Sequence, residues 1–550
     1  MAILTTLPLD ASAVGSRFSI MKLLAVLARF TACVLFGISS AENFTQPVLW
    51  QDLADTDLIR VGDAFYYSAS TMHFSPGAPI LRSYDLVNWE YFSHSVPSLN
   101  FSNPAFDLQG GNEYNAGIYA STLRYRNSTE TFYWIGCIQG TGKTYIYTAP
   151  GIAGPWKQTS VISNYCYYDC GLLVDDDDSM YVSYGLWVAD GSKAKIWVAQ
   201  LTPDGLQNKK IEIVWNTTSA VGYVEGTRFY KKGGIYYILL TNPGVGSGEI
   251  ILKSTQGPFG PYSDWHRVLQ NNGNPVPSAG SPYQGALVDT PAGDWWYVAF
   301  VNRYPGGRIP VLAPVTWDAD GWPNVIFNGK QWGSTYPYPL PKHPVKSITG
   351  TDNFNGTALG PQYEWNHNPD NSKWSIGKGL TLQTATTTDD FFMARNTLSH
   401  RMLGPKSSCT IRLDYSSMVD GDRAGLAVFR YDAAWIAVAK NGSSTTVQMV
   451  DHLLMANTNG WKTQNKGAVV ASESISGGIV WLRIDADIST GSSTAKFSYS
   501  ADGSTFTNLG QTHTMADGAV YFVGDRYGIF NMATKSLGGK VIVDSFTISQ

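Results

Sequence analysis

The sequence of 550 residues contains little charge and little cysteine. Only 15% of its residues are charged, and 43 acidic residues outnumber 39 basic ones, so no positive excess is available to hold nucleic acid. Five cysteines are too few and too scattered for a disulfide scaffold or a zinc site. After residue 41, no run of about 20 apolar residues could form a membrane helix. These absences argue against nucleic-acid-binding, zinc-binding and membrane-spanning classes.

The first 41 residues have the pattern of a secretory signal peptide. Met21-Lys22 opens the apolar run Leu23–Ile38, and Ser39-Ser40-Ala41 supplies small residues for a cleavage site. We therefore expect cleavage after Ala41 and a secreted, extracellular product, with translation starting at Met1 or at Met21. Six N-glycosylation sequons agree with this route: Asn43-Phe-Thr, Asn100-Phe-Ser, Asn127-Ser-Thr, Asn216-Thr-Thr, Asn355-Gly-Thr and Asn441-Gly-Ser.

One disulfide bond is predicted. Cys33 lies in the signal peptide, which leaves Cys137, Cys166, Cys170 and Cys409 in the mature chain. An extended segment would hold Cys166 and Cys170 about 13 Å apart, beyond the reach of a disulfide bond. We therefore expect Cys137 to pair with one of these two.

Aromatic residues and glycine are abundant instead. Phe, Trp and Tyr make up 13% of the chain, which also has 55 glycines, and this composition favours strands joined by turns. A turn followed by an aromatic, alternating strand recurs at intervals of roughly 50–70 residues, which is typical of a propeller. The segments are GDAFYYSAS (62–70), TFYWIGCIQ (131–139), DSMYVSYGL (178–186), GGIYYILLT (233–241) and GDWWYVAFV (293–301). They predict an all-β fold in which residues 42–345 form a five-bladed β-propeller. A large irregular sandwich is the alternative.

A second domain is predicted to follow. The proline-rich segment YPYPLPKHP (336–344) cannot continue a central strand, so we interpret it as a linker. Beyond it the period-two alternation returns in segments such as CTIRLDY, AGLAVFRY and IVWLRIDA, with Gly, Asn and Ser turns between them. We expect residues 346–550 to form a β-sandwich of the concanavalin A-like type.

Three acidic contexts stand at the ends of predicted strands. The first contains both Asp55 and Asp57, which period two would place on one face, so the pattern does not choose between them. The second places Asp169 before an apolar strand, and the third places Glu225 before a glycine. The acidic run at 175–178 is interpreted as a solvated hairpin turn, with calcium binding as the alternative.

Together these contexts resemble glycoside hydrolase family 43, the arabinofuranosidase and β-xylosidase family. The family motif D-P-S-I-I-R-V-G-D aligns with DTDLIRVGD and selects Asp55 over Asp57, DPSLFFDDDG aligns with DCGLLVDDDD, and EGPHLYK aligns with EGTRFYK. The resemblance implies a general base at Asp55, a general acid at Glu225, and a carboxylate at Asp169 that tunes and orients Glu225. It also implies hydrolysis with inversion, which needs room for a water between acid and base.

The resemblance also extends to the surroundings of these acids. Arg308 in GGRIP matches a family arginine near the sugar, with a structural ion pair as the alternative role. Tyr119 stands where many relatives have a tryptophan that shapes the pocket floor. Tyr283 stands where many have a histidine near the propeller axis. A tyrosine is a poor calcium ligand, so we predict that no metal or other cofactor is required.

The substrate branch is indicated by VLWQD, FSPGAPILRSYDLVNW, YYDCGLL and PGGRIPVLAP, which are most similar to fungal arabinoxylan arabinofuranosidases. The expected activity is removal of α-L-arabinofuranosyl side groups from arabinoxylan by a monomeric enzyme. A β-1,4-xylosidase of the same family is the close alternative. A retaining fructan hydrolase is disfavoured because its N-D-P-N, R-D-P and E-C motifs are missing. A non-catalytic carbohydrate-binding protein is the alternative of another class.

Overall fold

A computed structural model describes residues 42–186, 195–218, 220–243 and 248–550. The predicted signal peptide therefore lies outside the described residues. Within the described ranges, no helix is long and apolar enough to cross a membrane. Residues Phe44–Gln550 form one compact unit. Helix is confined here to short 3-10 turns at Pro104–Asp107, Asn127–Thr129, Phe391–Met393, Asn457–Asn459 and Ala519–Tyr521.

The first part of the chain folds into five antiparallel sheets, which are the blades of a propeller. Blade 1 contains β2 (Asp57–Val61), β3 (Ala64–Ser68), β5 (Gly77–Ser83) and β6 (Glu90–Val96). The strand β1 (Asn43–Thr45) precedes it, and β4 (Phe74–Ser75) lies between β3 and β5 in the chain but outside their sheet. Blade 2 contains β7 (Gly117–Ile118), β8 (Thr122–Arg126), β9 (Thr131–Gln139), β10 (Lys143–Ala149) and β11 (Lys157–Ile162). Blade 3 contains β12 (Tyr168–Val174), β13 (Met180–Leu186), β14 (Lys195–Leu201) and β15 (Asn208–Asn216).

The last two blades have four strands each. Blade 4 contains β16 (Glu225–Lys232), β17 (Ile235–Asn242), β18 (Gly248–Ser254) and β19 (Asp264–Gln270). Blade 5 contains β20 (Tyr283–Asp289), β21 (Trp295–Asn302), β22 (Arg308–Trp317) and β23 (Pro323–Val325). The short strand β24 (Thr335–Pro337) follows.

The blades are arranged around an axis, and their first strands lie next to it. Strand β2 contacts both β8 and β20, β8 contacts β12, and β12 contacts β16, so the first strands of neighbouring blades meet around a ring. The five aromatic segments found in the sequence are the second strands, β3, β9, β13, β17 and β21. Three of the site residues predicted from the sequence lie at or next to the start of a first strand: Asp55 just before β2, Asp169 in β12 and Glu225 in β16. The prediction of five blades is confirmed.

The sandwich consists of two large antiparallel sheets. Its strands in the first half are β25 (Gly350–Asp352), β26 (Tyr363–Asn366), β27 (Trp374–Gly377), β28 (Gly379–Gln383), β29 (Leu398–Arg401), β30 (Lys406–Asp414), β31 (Asp422–Phe429) and β32 (Asp432–Asn441). Those in the second half are β33 (Ser444–Ala456), β34 (Lys462–Ser474), β35 (Ile479–Asp487), β36 (Thr494–Ser500), β37 (Thr507–Asn508), β38 (His513–Thr514), β39 (Arg526–Ala533) and β40 (Lys540–Ser549). The all-β fold of propeller and sandwich is confirmed.

The propeller and the sandwich share a sheet. One sandwich sheet runs in the order β34-β33-β32-β31-β39-β29-β26-β4, so its last strand, β4, comes from the blade 1 region. Trp365 pairs with Ser75, and Asn366 pairs with Phe74. Behind this junction the fully buried Glu364 accepts hydrogen bonds from Arg401 (3.0 Å) and Arg526 (2.5 Å). Across the junction, His94 Nε2 of β6 lies 3.2 Å from Glu364 Oε1, and Arg401 Nε donates to the carbonyl of Asp52 at 2.8 Å. These contacts and the shared sheet hold the sandwich against the propeller.

The disulfide bond joins Cys137 at the end of β9 to Cys166 in the loop before β12. Of the described cysteines, Cys170 and Cys409 are free and buried. The prediction that Cys137 pairs with Cys166 or Cys170 is confirmed, with Cys166 as the partner. The bond ties blade 2 to the loop that leads into Asp169.

Candidate active site

The predicted site residues lie where the first strands of the blades begin. In blades 3, 4 and 5 the pairing of the first two strands is interrupted at the same place, at 168/171, 225/228 and 283/286. The first of the two residues inside each interruption is Asp169, Gly226 or Gln284, with φ of 49°, 63° and 46°. Such bulges redirect the neighbouring side chains. Here they bring Asp169 next to Glu225, so that the backbone N of Gly226 donates to Asp169 Oδ2.

Asp55 precedes β2 and has the same left-handed backbone, with φ of 58°. Its side chain is nearly buried, and its Oδ1 accepts a hydrogen bond from Arg308 Nη1 at 2.6 Å. Ser70 Oγ donates to its Oδ2 at 2.7 Å. Two donors therefore fix the orientation of this carboxylate.

Asp57 has a different environment. Its Oδ2 accepts hydrogen bonds from Thr122 Oγ1, Leu123 N and Arg124 Nη1, each at 2.8 Å. Its Oδ1 lies 3.5 Å from Arg228 Nε, and the side chain is fully buried. The expectation that Asp55 and Asp57 share one face is wrong, because the left-handed backbone at Asp55 breaks the period of two. Asp57 is held between blades, while Asp55 is next to Arg308.

Asp169 is buried beside Glu225. Its Oδ2 accepts a hydrogen bond from the backbone N of Gly226 at 3.1 Å, and its own carbonyl accepts one from Thr227 Oγ1 at 2.8 Å. Burial raises the pKa of Asp169 well above its usual range, and the charges of Glu225 and Asp55 raise it further. The three acids therefore act on one another electrostatically in one site.

Gly226 allows the hydrogen bond between its backbone N and Asp169 Oδ2. Its φ of +63° is costly for other residues. A Cβ there would lie 2.6 Å from Thr241 Oγ1 and 3.0 Å from Gln284 Cγ. The glycine therefore lets its backbone N–H reach Asp169 and places Glu225 next to it.

Glu225 is the third acid, and Tyr223 Oη donates a hydrogen bond to its Oε2 at 2.7 Å. Burial raises the pKa of Glu225, the Tyr223 hydrogen bond lowers it, the Asp55 charge raises it, and the Arg308 charge lowers it. The net direction is upward, so the carboxyl keeps its proton to a higher pH than an exposed glutamate does. A carboxyl of this kind is suited to donate a proton.

Replacing Tyr223 by phenylalanine should move the pH profile. The Tyr223 hydroxyl stabilises the ionised carboxylate of Glu225, so its loss raises the Glu225 pKa further. The alkaline limb of kcat/KM is then expected to move to higher pH, since the acid stays protonated longer. A pH series of kcat/KM for Tyr223→Phe and wild type measures this. A limb that moves to lower pH would contradict the assignment.

Arg308 and Tyr119 both border this group, as expected from the sequence. The Arg308 guanidinium carbon lies 5.2 Å from the centre of the Phe300 ring and 5.1 Å from that of Phe522. Tyr119 donates from its hydroxyl to the carbonyl of Asn115 at 2.6 Å, which fixes its ring. Arg308 pairs with Asp55, so the predicted ion pair and the position near the site are both present.

Tyr283 is the first residue of β20 and lies near Arg308, Asp55 and Glu225. Its hydroxyl oxygen accepts a hydrogen bond from Asn302 Nδ2 at 2.9 Å, and its ring packs edge-on against Phe300. Burial raises the pKa of Tyr283, which keeps it neutral. A neutral phenol held in this way is not a calcium ligand.

Phe522 is a site residue that the sequence did not reveal. It belongs to the sandwich, follows the 3-10 turn Ala519–Tyr521, and has φ of 60°. Its ring centre lies 6.3 Å from that of Tyr119, and 38% of the residue remains exposed. The sandwich thus contributes a ring that lies beside Arg308 and Tyr119, next to the acids. No motif identified Phe522, because its position depends on how the sandwich packs on the propeller.

Truncating Phe522 should affect substrate binding more than chemistry. The ring covers Arg308 and Tyr119 but lies outside the hydrogen bonds of the three acids. For Phe522→Ala we expect KM to rise about tenfold, the effect of losing roughly 1.4 kcal/mol of contact, with kcat changed much less. Steady-state kinetics on a nitrophenyl glycoside provide the measurement. Val520→Ala, another exposed residue of the same loop, is the matched control. A fall in kcat at constant KM would contradict this role.

A cavity of about 670 Å³ opens beside the acids. Tyr168, Tyr184 and Tyr223 line it, together with Cys166 of the disulfide bond. Tyr168 precedes Asp169, and Tyr223 is bonded to Glu225, so the cavity lies next to the acids, although Asp55, Asp169 and Glu225 do not line it themselves. Its size falls within the range of roughly 300–1,000 Å³ that is usual for ligand sites.

The acidic run at 175–178 forms the turn between β12 and β13. Asp175 pairs with Lys231 and accepts a hydrogen bond from Tyr236 Oη at 2.6 Å, while Asp178 pairs with Arg126. The structure thus favours the hairpin-turn interpretation over calcium binding. Among the described residues, no group of three or more His, Cys, Asp or Glu side chains is placed to hold a metal ion.

Comparison with known families identifies both parts of the chain. The model of the glycosyl hydrolases family 43 matches residues 44–323. The model of the β-xylosidase C-terminal concanavalin A-like domain matches residues 351–549.

Curated relatives and solved structures agree with these matches. The chain is 29% identical to the β-xylosidase of Formosa agariphila, over 93% of this chain and 91% of that protein. It is 30% identical to the non-reducing end α-L-arabinofuranosidase BoGH43B of Bacteroides ovatus, over 70% of this chain and 74% of that protein. It is 45% identical to a solved structure with a TM-score of 0.87, covering 92% of this chain and 100% of the other. That structure is of a GH43 glycoside hydrolase engineered to display endo-xylanase and exo-arabinofuranosidase activity.

The family match covers more than half of the chain. The acids of the three aligned motifs, Asp55, Asp169 and Glu225, lie close enough to affect one another's charge. The predicted resemblance and the prediction of a glycosidase are confirmed. The chain belongs to glycoside hydrolase family 43.

Proposed function

We propose that this glycosidase removes α-L-arabinofuranosyl side groups from arabinoxylan. The observation that supports it most is the 45% identity, over 92% of the chain, to the engineered enzyme with exo-arabinofuranosidase activity. The relative BoGH43B is also named a non-reducing end α-L-arabinofuranosidase. The cavity beside Glu225 offers room for the xylan that carries the side group.

In the proposed mechanism, Glu225 protonates the leaving oxygen and Asp55 activates the attacking water. The raised pKa of Glu225 suits a proton donor, and the two hydrogen bonds from Arg308 and Ser70 orient Asp55. Asp169 is a positioning residue, because it accepts from Gly226 N, next to Glu225. Water attack on the face opposite the leaving group inverts the anomeric carbon, and such enzymes hold the two carboxyls about 6.5–9.5 Å apart.

A β-1,4-xylosidase is the second candidate. It is supported by the relative from Formosa agariphila, which covers 93% of this chain and is named a β-xylosidase. The match of residues 351–549 to the β-xylosidase C-terminal domain points the same way. Xylopyranose and arabinofuranose present related hydroxyl patterns, so one pocket of this type can accept either sugar.

Activity on two small substrates separates the candidates. We expect kcat/KM on 4-nitrophenyl α-L-arabinofuranoside to exceed that on 4-nitrophenyl β-D-xyloside by at least about tenfold, or 1.4 kcal/mol of discrimination. A preference for the xyloside would support the second candidate. Binding of arabinoxylan without release of any sugar would support a non-catalytic carbohydrate-binding protein and contradict both.

Three further properties belong to the proposal. The protein is secreted after removal of residues 1–41, it is a monomer, and it needs no metal or other cofactor. The signal-peptide pattern supports the first, and the neutral, hydrogen-bonded Tyr283 at the axis supports the third. The N-terminal sequence of the secreted protein, its mass in solution and its activity after treatment with a chelator test the three in turn.

A further inference from the structure

A groove separate from the catalytic group lies where blades 1 and 2 meet the sandwich. Its volume is about 640 Å³, within the range of roughly 300–1,000 Å³ that is usual for ligand sites. It is lined by β6, by the turn before β11 and by the segments around β26 and β27. Asp55, Asp169 and Glu225 are not among the residues that line it. The groove is therefore a distinct feature of the surface.

Aromatic rings form much of this groove. Phe92 and Trp374 are partly exposed, while Trp156, Tyr363 and Trp365 are buried and form the floor. The flat face of an aromatic ring can pack against the apolar C–H face of a sugar ring. The groove therefore offers two accessible stacking surfaces on a rigid base.

Both accessible rings are held in place before any ligand binds. Trp374 Nε1 donates to Asn371 Oδ1 at 3.0 Å, and its ring centre lies 5.0 Å from that of Trp365. The Arg82 guanidinium carbon lies 4.2 Å from the centre of the Phe92 ring. Rings fixed in this way lose little conformational entropy on binding.

The lining of the groove carries no carboxylate, ammonium or guanidinium group, and its histidine, His94, has its Nε2 3.2 Å from Oε1 of the buried Glu364. None of its 19 lining residues is Asp, Glu, Lys or Arg, although 15% of the whole chain is charged. Its polar groups are side chains such as Ser98, Asn371 and His94. Arg82 lies over the Phe92 ring but is paired with Glu90, so the lining itself presents no charged side chain to phosphate, sulfate or uronate groups. Its chemistry fits a neutral ligand with apolar faces and hydroxyl edges.

We propose that this groove is a second, non-catalytic binding site for a neutral xylan chain, with Phe92 and Trp374 stacking on its sugar rings. The choice of xylan among neutral polysaccharides rests on the proposed function. A chain held on the rim stays near the enzyme while the axial pocket acts on side groups. The site should therefore matter for polymer and be irrelevant for small substrates.

The test uses the full-length protein with Phe92→Ala, Trp374→Ala and Trp374→Phe. Trp322→Ala is the control, because Trp322 is a partly exposed tryptophan like Trp374 but lies on the propeller, outside the groove. Binding is measured by retardation in gels containing soluble arabinoxylan, in the Glu225→Ala background so that polymer is not consumed. Activity of the same substitutions in active enzyme is measured on 4-nitrophenyl α-L-arabinofuranoside and on insoluble arabinoxylan.

We expect both alanine variants to bind arabinoxylan about tenfold more weakly, the effect of losing one stacked ring. Trp374→Phe should restore most of the affinity, and Trp322→Ala should match wild type. Hydrolysis of the nitrophenyl substrate should stay unchanged, which separates this site from the proposed function. Unchanged affinity in both alanine variants with intact melting temperatures would overturn the proposal. Binding that appears only after enzymatic removal of N-glycans would also overturn it, because the glycan of Asn100, at the groove rim, would then be the occupant.

Discussion

Glu225→Ala should lower kcat on arabinoxylan by about 10³–10⁴-fold, because an unactivated leaving group needs a proton from the general acid. The loss should shrink to less than about tenfold on a 2,4-dinitrophenyl glycoside, whose leaving group departs without protonation. Steady-state kinetics on both substrates supply the measurement. The dependence on the leaving group is the signature of the acid.

The control for this variant is Glu212→Gln, since Glu212 is an exposed glutamate on β15 paired only with Lys210. It should behave as wild type on both substrates. An equal loss on both substrates for Glu225→Ala would contradict the role of general acid. A variant that keeps full activity on arabinoxylan would contradict the location of the site.

Asp55→Asn should lower kcat by about 10³–10⁴-fold on every substrate, whatever its leaving group, because each turnover needs an activated water. Asparagine keeps an oxygen for the hydrogen bond from Arg308, so the loss reflects chemistry more than folding. Steady-state kinetics on arabinoxylan and on the 2,4-dinitrophenyl glycoside measure this effect. A loss confined to poor leaving groups would mean that Asp55 is the acid, and the roles would be exchanged.

Asp57→Asn is the matched comparison. Asp57 accepts hydrogen bonds from Thr122, Leu123 N and Arg124 and lies near Arg228, so removing its charge leaves buried partners uncompensated. We expect its free energy of unfolding to fall by about 3–5 kcal/mol. The protein that remains folded should keep its kcat. Stability and kcat therefore separate two acids that are only two positions apart.

The three acids were found from the sequence because each stands in a local motif next to a strand. The choice of Asp55 over Asp57 came from family resemblance, since simple alternation places both on one face. The structure shows why alternation fails there: Asp55 has a left-handed backbone and lies before β2. A local pattern cannot report a single residue that departs from extended geometry.

Contacts between distant segments were the part that could not be predicted. Strand β4 joins the sandwich sheet beside β26, although 292 positions separate Phe74 from its partner Asn366. Phe522 reaches the pocket across the same junction. Both depend on how segments that are far apart in the chain meet at the junction of propeller and sandwich, and neither leaves a periodic signal in the chain. The five blades, in contrast, each arise from short hairpins whose turns and aromatic strands are local.

A β-bulge at the start of a first strand places two of the three acids in the site. Bulges at the starts of β12 and β16 bring Asp169 and Glu225 together, and the backbone N of Gly226, next to Glu225, donates a hydrogen bond to Asp169. Burial then raises the pKa of both carboxyls, while Arg308 and Ser70 orient Asp55 by hydrogen bonds. One carboxyl is thereby suited to give a proton and another to accept one, which is the division of labour that hydrolysis requires.

The most direct test of the account is proton NMR of arabinoxylan during the first minutes of its hydrolysis by the wild-type enzyme. The account predicts free arabinose whose first-formed signal is the β anomer, because inversion converts an α-L-arabinofuranoside into the β sugar before mutarotation. Release of xylose without arabinose, or first appearance of the α anomer, would contradict it.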